Sequence, residues 1–118
     1  MSLRLKRAYL PPAPADGRRV LVDRLWPRGL RKADAAIDLW LKEAAPSVEL
    51  RRWFGHAPGR WNEFRRRYEI ELEKKSDLLR DLARIAREGE LTLIYAARDE
   101  LHNHALVLRE AVARVLNA

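Results

Sequence analysis

The segment that most restricts the fold lies near the carboxyl end. Leu91-Thr-Leu-Ile-Tyr95 is a short apolar and aromatic run with the composition of a strand. Beyond it, Leu101, Ala105, Leu108, Val112 and Val115 repeat at helical spacing. On this reading residues 96–99 join the two, and Asp99 caps the helix. A strand feeding a helix through so short a link is a βα unit. Units of this kind build parallel sheets and take their ligands beyond the carboxyl ends of the strands.

Three further strands are expected. Leu3 and Leu5 alternate with Arg4 and Lys6, and Arg19-Val-Leu-Val-Asp-Arg-Leu25 carries a Val20-Leu21-Val22 run suited to burial on both faces. Pro27 stops that strand, since it cannot donate to a ladder. Ile37, Leu39 and Leu41 alternate with Asp38, Trp40 and Lys42 as a third strand, with Trp40 on the face away from the apolar side. The three prolines between Leu10 and Gly17 make that stretch a loop.

Helices follow. Ser47 is placed to cap a short one that buries Leu50, Trp53 and Phe54 and ends at Gly55 and Pro58. Trp61, Phe64, Tyr68 and Leu72 mark a longer one. After a break near Ser76-Asp77, Leu79, Leu82 and Ile85 or Ala86 mark another, closed by Gly89. At 118 residues, the expected architecture is one compact α/β domain over residues 1–118. Its sheet is small, mainly parallel, of about four strands and flanked by helices.

Composition excludes several classes. Four Trp and 47% hydrophobic residues supply a core, so disorder is not expected. The absence of Cys removes disulfides, thiol catalysis and Cys-based metal centres. No apolar run approaches a membrane span, and Met1 to Arg7 lacks a signal-peptide core, so a cytoplasmic bacterial-type protein is expected. Scattered glycines form neither a P-loop nor a dinucleotide fingerprint, and no nucleotide cofactor held in the usual way is expected. His102-x-His104 lacks helical ligand spacing, so no metal site is expected.

The net charge of +7 is unevenly spread. Residues 1–60 hold 13 basic and 6 acidic side chains, whereas residues 61–118 hold 11 of each. That asymmetry points to an anionic partner. Two polar clusters follow predicted strand ends: Asp23-Arg24-Leu-Trp26-Pro27-Arg28-Gly29, and Tyr95-Ala-Ala-Arg98-Asp99-Glu-Leu-His102-Asn103-His104. In a parallel sheet they meet at one edge. There Arg24 and Arg28 can fork onto a phosphate or carboxylate, with Arg51 as a third contact. The N–H groups after Asp99 offer a second anion-favouring end. Asp23 or Asp99 beside His102 or His104 suits acid–base work, with His56 as an outside choice. Trp26 and Trp40 suit a pocket wall as well as plain packing. Asp23 with an Arg reads equally well as a structural ion pair, and Ser47 as a simple cap.

The stretch Arg19-Val-Leu-Val-Asp-Arg-Leu-Trp-Pro-Arg-Gly29 resembles the opening motif of the YeaO-like bacterial family. The resemblance continues through Trp40-Leu-Lys42, Ala45-Pro-Ser47, Leu50-Arg-Arg-Trp-Phe-Gly-His56, Leu91-Thr-Leu-Ile-Tyr-Ala-Ala-Arg-Asp99 and His102-Asn-His-Ala105. It implies a small, mainly parallel α/β fold. It also adds Lys42, Ser47, Tyr95 and Asn103 to the residues of interest. A longer sister group carries a Cys-rich segment after its last strand; with no Cys here, thiol chemistry does not transfer.

The expectation is a small anionic, phosphate- or nucleotide-like ligand bound at the carboxyl edge. Asp23, Asp99 and His104 are the acid–base candidates, and hydrolase or transferase chemistry is left open. The alternatives are nucleic-acid binding through the basic half, or a non-catalytic protein-interaction module.

Overall fold

The structure, a computed structural model, describes residues 2–118. Four strands, β1 (Ser2–Arg7), β2 (Arg18–Leu21), β3 (Leu39–Trp40) and β4 (Glu90–Tyr95), pair in the order β1-β4-β2-β3. Every pairing is parallel. The helices are α1 (Lys32–Ala35), α2 (Val48–Phe54), α3 (Trp61–Glu73), α4 (Ser76–Glu88) and α5 (His104–Leu116). The expected α/β architecture is therefore present.

The two faces of the sheet are covered unequally. Val20, Val22, Leu91, Leu93 and Tyr95 share the main core with residues of α2, α3, α4 and α5. Leu21 and Ile94 point the other way, where Ala8, Trp26, Leu30, Ile37 and Trp40 cover them. Alternation along the central strands thus sends every second residue into a different layer. Both layers are apolar at β2 and β4, which is why those runs read as continuously hydrophobic. Among the described residues no helix is long and apolar enough to cross a membrane.

Three local expectations are corrected. The second strand stops at Leu21, short of Leu25: only the Val22 N–H still reaches β4, donating to the Ile94 carbonyl at 3.0 Å. Beyond it Leu25 is 65% exposed. The third strand is two residues long, and Leu39 lies outward while Ile37 and Trp40 pack together beneath Trp26. An edge strand with one neighbour and no helix over it has no apolar layer to enforce the alternation.

The third correction concerns α5, which starts at His104 and is capped by Asn103, whose Oδ1 accepts from the Leu106 N–H at 3.3 Å. The connection from β4 therefore spans residues 96–103, and Leu101, 75% exposed, is outside the helical stripe. Asp99 instead closes a turn, its Oδ1 accepting from the N–H groups of Leu101 at 2.9 Å and His102 at 3.0 Å. Asp and Asn both make such local bonds, and the apolar periodicity cannot tell which of the two starts the helix.

Candidate functional site

At the carboxyl edge the ends of β2 and β4 are tied together by one carboxylate. Asp23 Oδ2 accepts from the Ala96 N–H at 3.0 Å. His104, the first residue of α5, donates from Nε2 to the Val22 carbonyl at 3.0 Å, and the same nitrogen lies 3.2 Å from Asp23 Oδ1. The single Nε2 proton is committed to the carbonyl, so Oδ1 has no hydrogen bond of its own. Asp23 thus pairs with His104, where an Arg partner was one expectation.

Over this junction opens a cleft of about 930 Å³. Its size lies within the range of small-molecule sites. All three histidines of the chain line it: His56, His102 and His104. So do Asp23 and Asp99. Five arginines join them: Arg24 and Arg28 after β2, Arg51 and Arg52 from α2, and Arg98 after β4. Each comes from an element whose end the parallel sheet or α2 delivers to this edge. His56 is turned into position by two successive left-handed residues, Gly55 at φ 53° and His56 at φ 56°.

The anion-favouring helix end expected after Asp99 is already occupied by the chain. Asp99, Asn103 and the Asp23–His104 pair take up that corner. The arginines of the cleft are less engaged. Arg24 donates from Nη2 to the Pro46 carbonyl at 3.2 Å, leaving its buried Nε unpartnered. The side chains of Arg28, Arg51, Arg52 and Arg98 make no hydrogen bond or ion pair to any described residue. On α3 the guanidinium groups find carboxylates. Arg66 and Arg67 share Glu63, and Arg65 meets Glu69 and Glu110, so the Arg65-Arg66-Arg67 patch is largely neutralised on the protein itself.

The acid–base candidates are not equivalent. The Leu101 N–H and the His102 side chain hold the Asp99 carboxyl below its usual range. A carboxylate held that way is a weak proton acceptor. Its Oδ2 lies 2.9 Å from His102 Nδ1, fixing that ring at the cleft wall.

Several expected residues are placed elsewhere. Trp40 braces the site from behind, donating from Nε1 to the Asp23 carbonyl at 2.8 Å, and Lys42 Nζ sits 4.2 Å above its ring. Neither lines the cleft. Trp26 does line it, its Nε1 donating to the Leu30 carbonyl at 2.6 Å. Tyr95 is buried in the main core, and burial pushes its hydroxyl pKa up. Asn103 borders the cleft but is spent on the α5 cap and on the Asp99 carbonyl.

Ser47 is a cap joined to α3. Its Oγ accepts from the Leu50 N–H at 3.2 Å and donates to Glu71 Oε2 at 2.6 Å, while its N–H donates to Glu71 Oε1 at 2.8 Å. Ser47→Ala is expected to cost about 1–2 kcal/mol in urea unfolding. Its effect on anion affinity should be negligible.

Tyr9 and Arg52 line the cleft without having been singled out from the sequence, and Arg98, part of the second strand-end cluster, lines it without having been given a role. Tyr9 follows β1, and the rule that sends ligands to parallel-strand ends covers that strand too. Its hydroxyl donates to the Arg28 carbonyl at 2.8 Å, tying the β1 and β2 loops together.

Fold and site together define a small parallel α/β protein with an arginine- and histidine-lined cleft at the carboxyl edge of its sheet. The family model described as "Inactive DUF488-N3 subclade" matches residues 2–118, and the chain belongs to that family. It is similar to the uncharacterized protein YeaO of Escherichia coli K12, 46% identical over 110 residues, covering 93% of this chain and 96% of the relative. It is also similar to the uncharacterized protein Rv3073c of Mycobacterium tuberculosis H37Rv, 43% identical over 108 residues, covering 92% and 91%. The resemblance read from the motifs is thereby shown. No solved structure matches the chain.

Proposed function

We propose that this protein binds a small phosphate- or nucleotide-like anion in the carboxyl-edge cleft. One observation carries the reading: Arg28, Arg51, Arg52 and Arg98 all line a single cavity, and none has a carboxylate partner among the described residues. Guanidinium groups left unpaired beside a concave surface are suited to phosphate, which accepts from them in forked geometry. The chain's own carboxylates hold the helix and strand ends in place, so the guanidinium groups do not have to. Binding without turnover is the reading preferred. The word "inactive" in the family description supports it, as does the commitment of Asp99 to a turn.

The test is thermal unfolding of the wild-type protein in inorganic phosphate, pyrophosphate and a nucleoside monophosphate, against chloride at matched ionic strength. A ligand at a hundred times its Kd stabilises by about 2.7 kcal/mol. Arg28→Ala is expected to weaken binding roughly 10- to 100-fold, the worth of charge-assisted hydrogen bonds of about 1.5–3 kcal/mol. Arg80→Ala, whose guanidinium is paired with Asp77 on α4, is expected to change nothing. If no anion raises the Tm above the chloride control, the reading fails.

A further inference from the structure

The cleft has a neighbour of about 400 Å³, lined by Arg7, Tyr9, Arg28, Ala96 and Arg98. Four of these, all but Arg7, also line the larger cavity, so the two are lobes of one depression. Their chemistry differs. The larger lobe sets Asp23 and Asp99 against its arginines and has Phe54, Phe64 and Pro46 in its walls. The smaller lobe is lined by three arginines and, among the described residues, by no Asp or Glu.

Building on the anion-binding reading, we propose that the ligand is bipartite. Its phosphate seats in the small lobe between Arg7, Arg28 and Arg98, and an aromatic or heterocyclic body lies in the larger lobe. The ligand class is therefore a phosphorylated ring compound of mononucleotide type, and the small lobe is the anion subsite.

Three observations support the division. First, an anion in the larger lobe meets two carboxylates, and like charges a few ångström apart repel; in the small lobe it meets none. Second, Arg7 is held ready. Its Nε donates to the Ala97 carbonyl at 2.9 Å and its Nη2 reaches the Ala96 carbonyl at 3.5 Å, while its guanidinium carbon lies 5.4 Å from the centre of the Tyr9 ring. Nη1 has no partner among the described residues. A guanidinium fixed on carbonyls and an aromatic ring loses little freedom when an anion arrives. Third, the larger lobe exceeds what a phosphate alone fills, and the aromatic and proline side chains in its walls suit a flat ring-bearing body.

The test compares inorganic phosphate, adenosine and adenosine 5′-monophosphate by calorimetric titration of the intact protein. It uses wild type, Arg98→Gln and Arg52→Gln. Arg98 and Arg52 make no side-chain hydrogen bond or ion pair to any described residue, whereas Arg7 anchors the β4 loop and is left intact. The monophosphate is expected to bind at least about tenfold tighter than either half alone, since both lobes are then used. Arg98→Gln is expected to weaken phosphate and monophosphate alike by about tenfold, whereas Arg52→Gln, at a residue that lines only the larger lobe, is expected to weaken the monophosphate more than inorganic phosphate. Loss of phosphate binding in Arg52→Gln but not in Arg98→Gln would place the anion in the larger lobe. That overturns the inference and leaves anion binding itself standing. A monophosphate no tighter than phosphate overturns the bipartite ligand in the same way. If neither phosphate nor monophosphate binds wild type, the underlying reading falls.

Discussion

Gly17→Ala is expected to destabilise the protein by about 2–5 kcal/mol, combining a left-handed backbone penalty with overpacking. Gly17 sits at φ +64° between the Pro-rich loop and β2. A Cβ built there falls 2.4 Å from both Glu90 Cβ and the Glu90 carbonyl oxygen. The carbonyl belongs to the backbone at the start of β4, so it cannot swing aside as a side-chain tip would. Gly29 supplies the internal control. It too has positive φ, +79°, but nothing lies within 4 Å of its Cβ position. Gly29→Ala should therefore carry only the conformational part, about 1–2 kcal/mol. Urea unfolding of both variants separates the terms: equal losses would show that the Glu90 contact does not constrain Gly17.

The contrast between these glycines indicates what a sequence does and does not disclose. Leu91 to Tyr95, Val20 to Val22 and the stripes of α3, α4 and α5 were legible because burial imposes a period on them. Each is a long or doubly buried element, and a register error would expose several apolar groups at once. Where burial is weak the period fails. Leu39 lies outward on an edge strand with no helix above it, and Leu101 belongs to an exposed turn. Neither position is policed by the core, so spacing misassigned both.

Candidate site residues follow the same logic one level up. The rule for parallel sheets sent Asp23, Arg24, Arg28, Asp99 and His104 to one edge, and the structure places all five along the cleft. It could not say that Asp99 would close a turn and leave the α5 cap to Asn103. Asp99 and Asn103 compete for the start of α5 with nearly equal local chemistry, and only the loop length decides between them. Trp40 and Lys42 stack on each other outside the cleft because β3 is too short to carry them to it. Tyr9 required the same edge rule to be applied to the loop of β1.

The positive charge of the first half also divides once partners are known, and the division leads to the other large expected effect. Arg19 is a charged residue on a strand, yet it is only 3% exposed. Its Nη1 donates to Asp16 Oδ2 at 2.6 Å, and its remaining nitrogens donate to the carbonyls of Ala35 and Ala36. Lys6 meets the same carboxylate at 3.0 Å. Asp16 itself is 5% exposed, and its carbonyl accepts from Thr92 Oγ1 at 2.7 Å on β4. Asp16→Ala therefore leaves a buried guanidinium without its counter-charge, an arrangement that costs about 3–5 kcal/mol.

The pH dependence carries the same signature. Burial pushes the Asp16 carboxyl up, but the Ala13 N–H, Lys6 and Arg19 together hold it below the usual range. A carboxyl whose folded pKa is depressed contributes stability above its unfolded pKa, near about 3.9, and loses it as pH falls through the folded value. Wild type should thus lose stability on acidification below about pH 4, and Asp16→Asn should lack that component of the loss. Matching acid limbs in urea unfolding would remove the triad from the account. Because Lys6, Asp16 and Arg19 do not line the cleft, Asp16→Ala protein held below its Tm should bind phosphate as wild type does. That outcome would separate the cations that hold the sheet from those that await an anion, a distinction net charge alone cannot make.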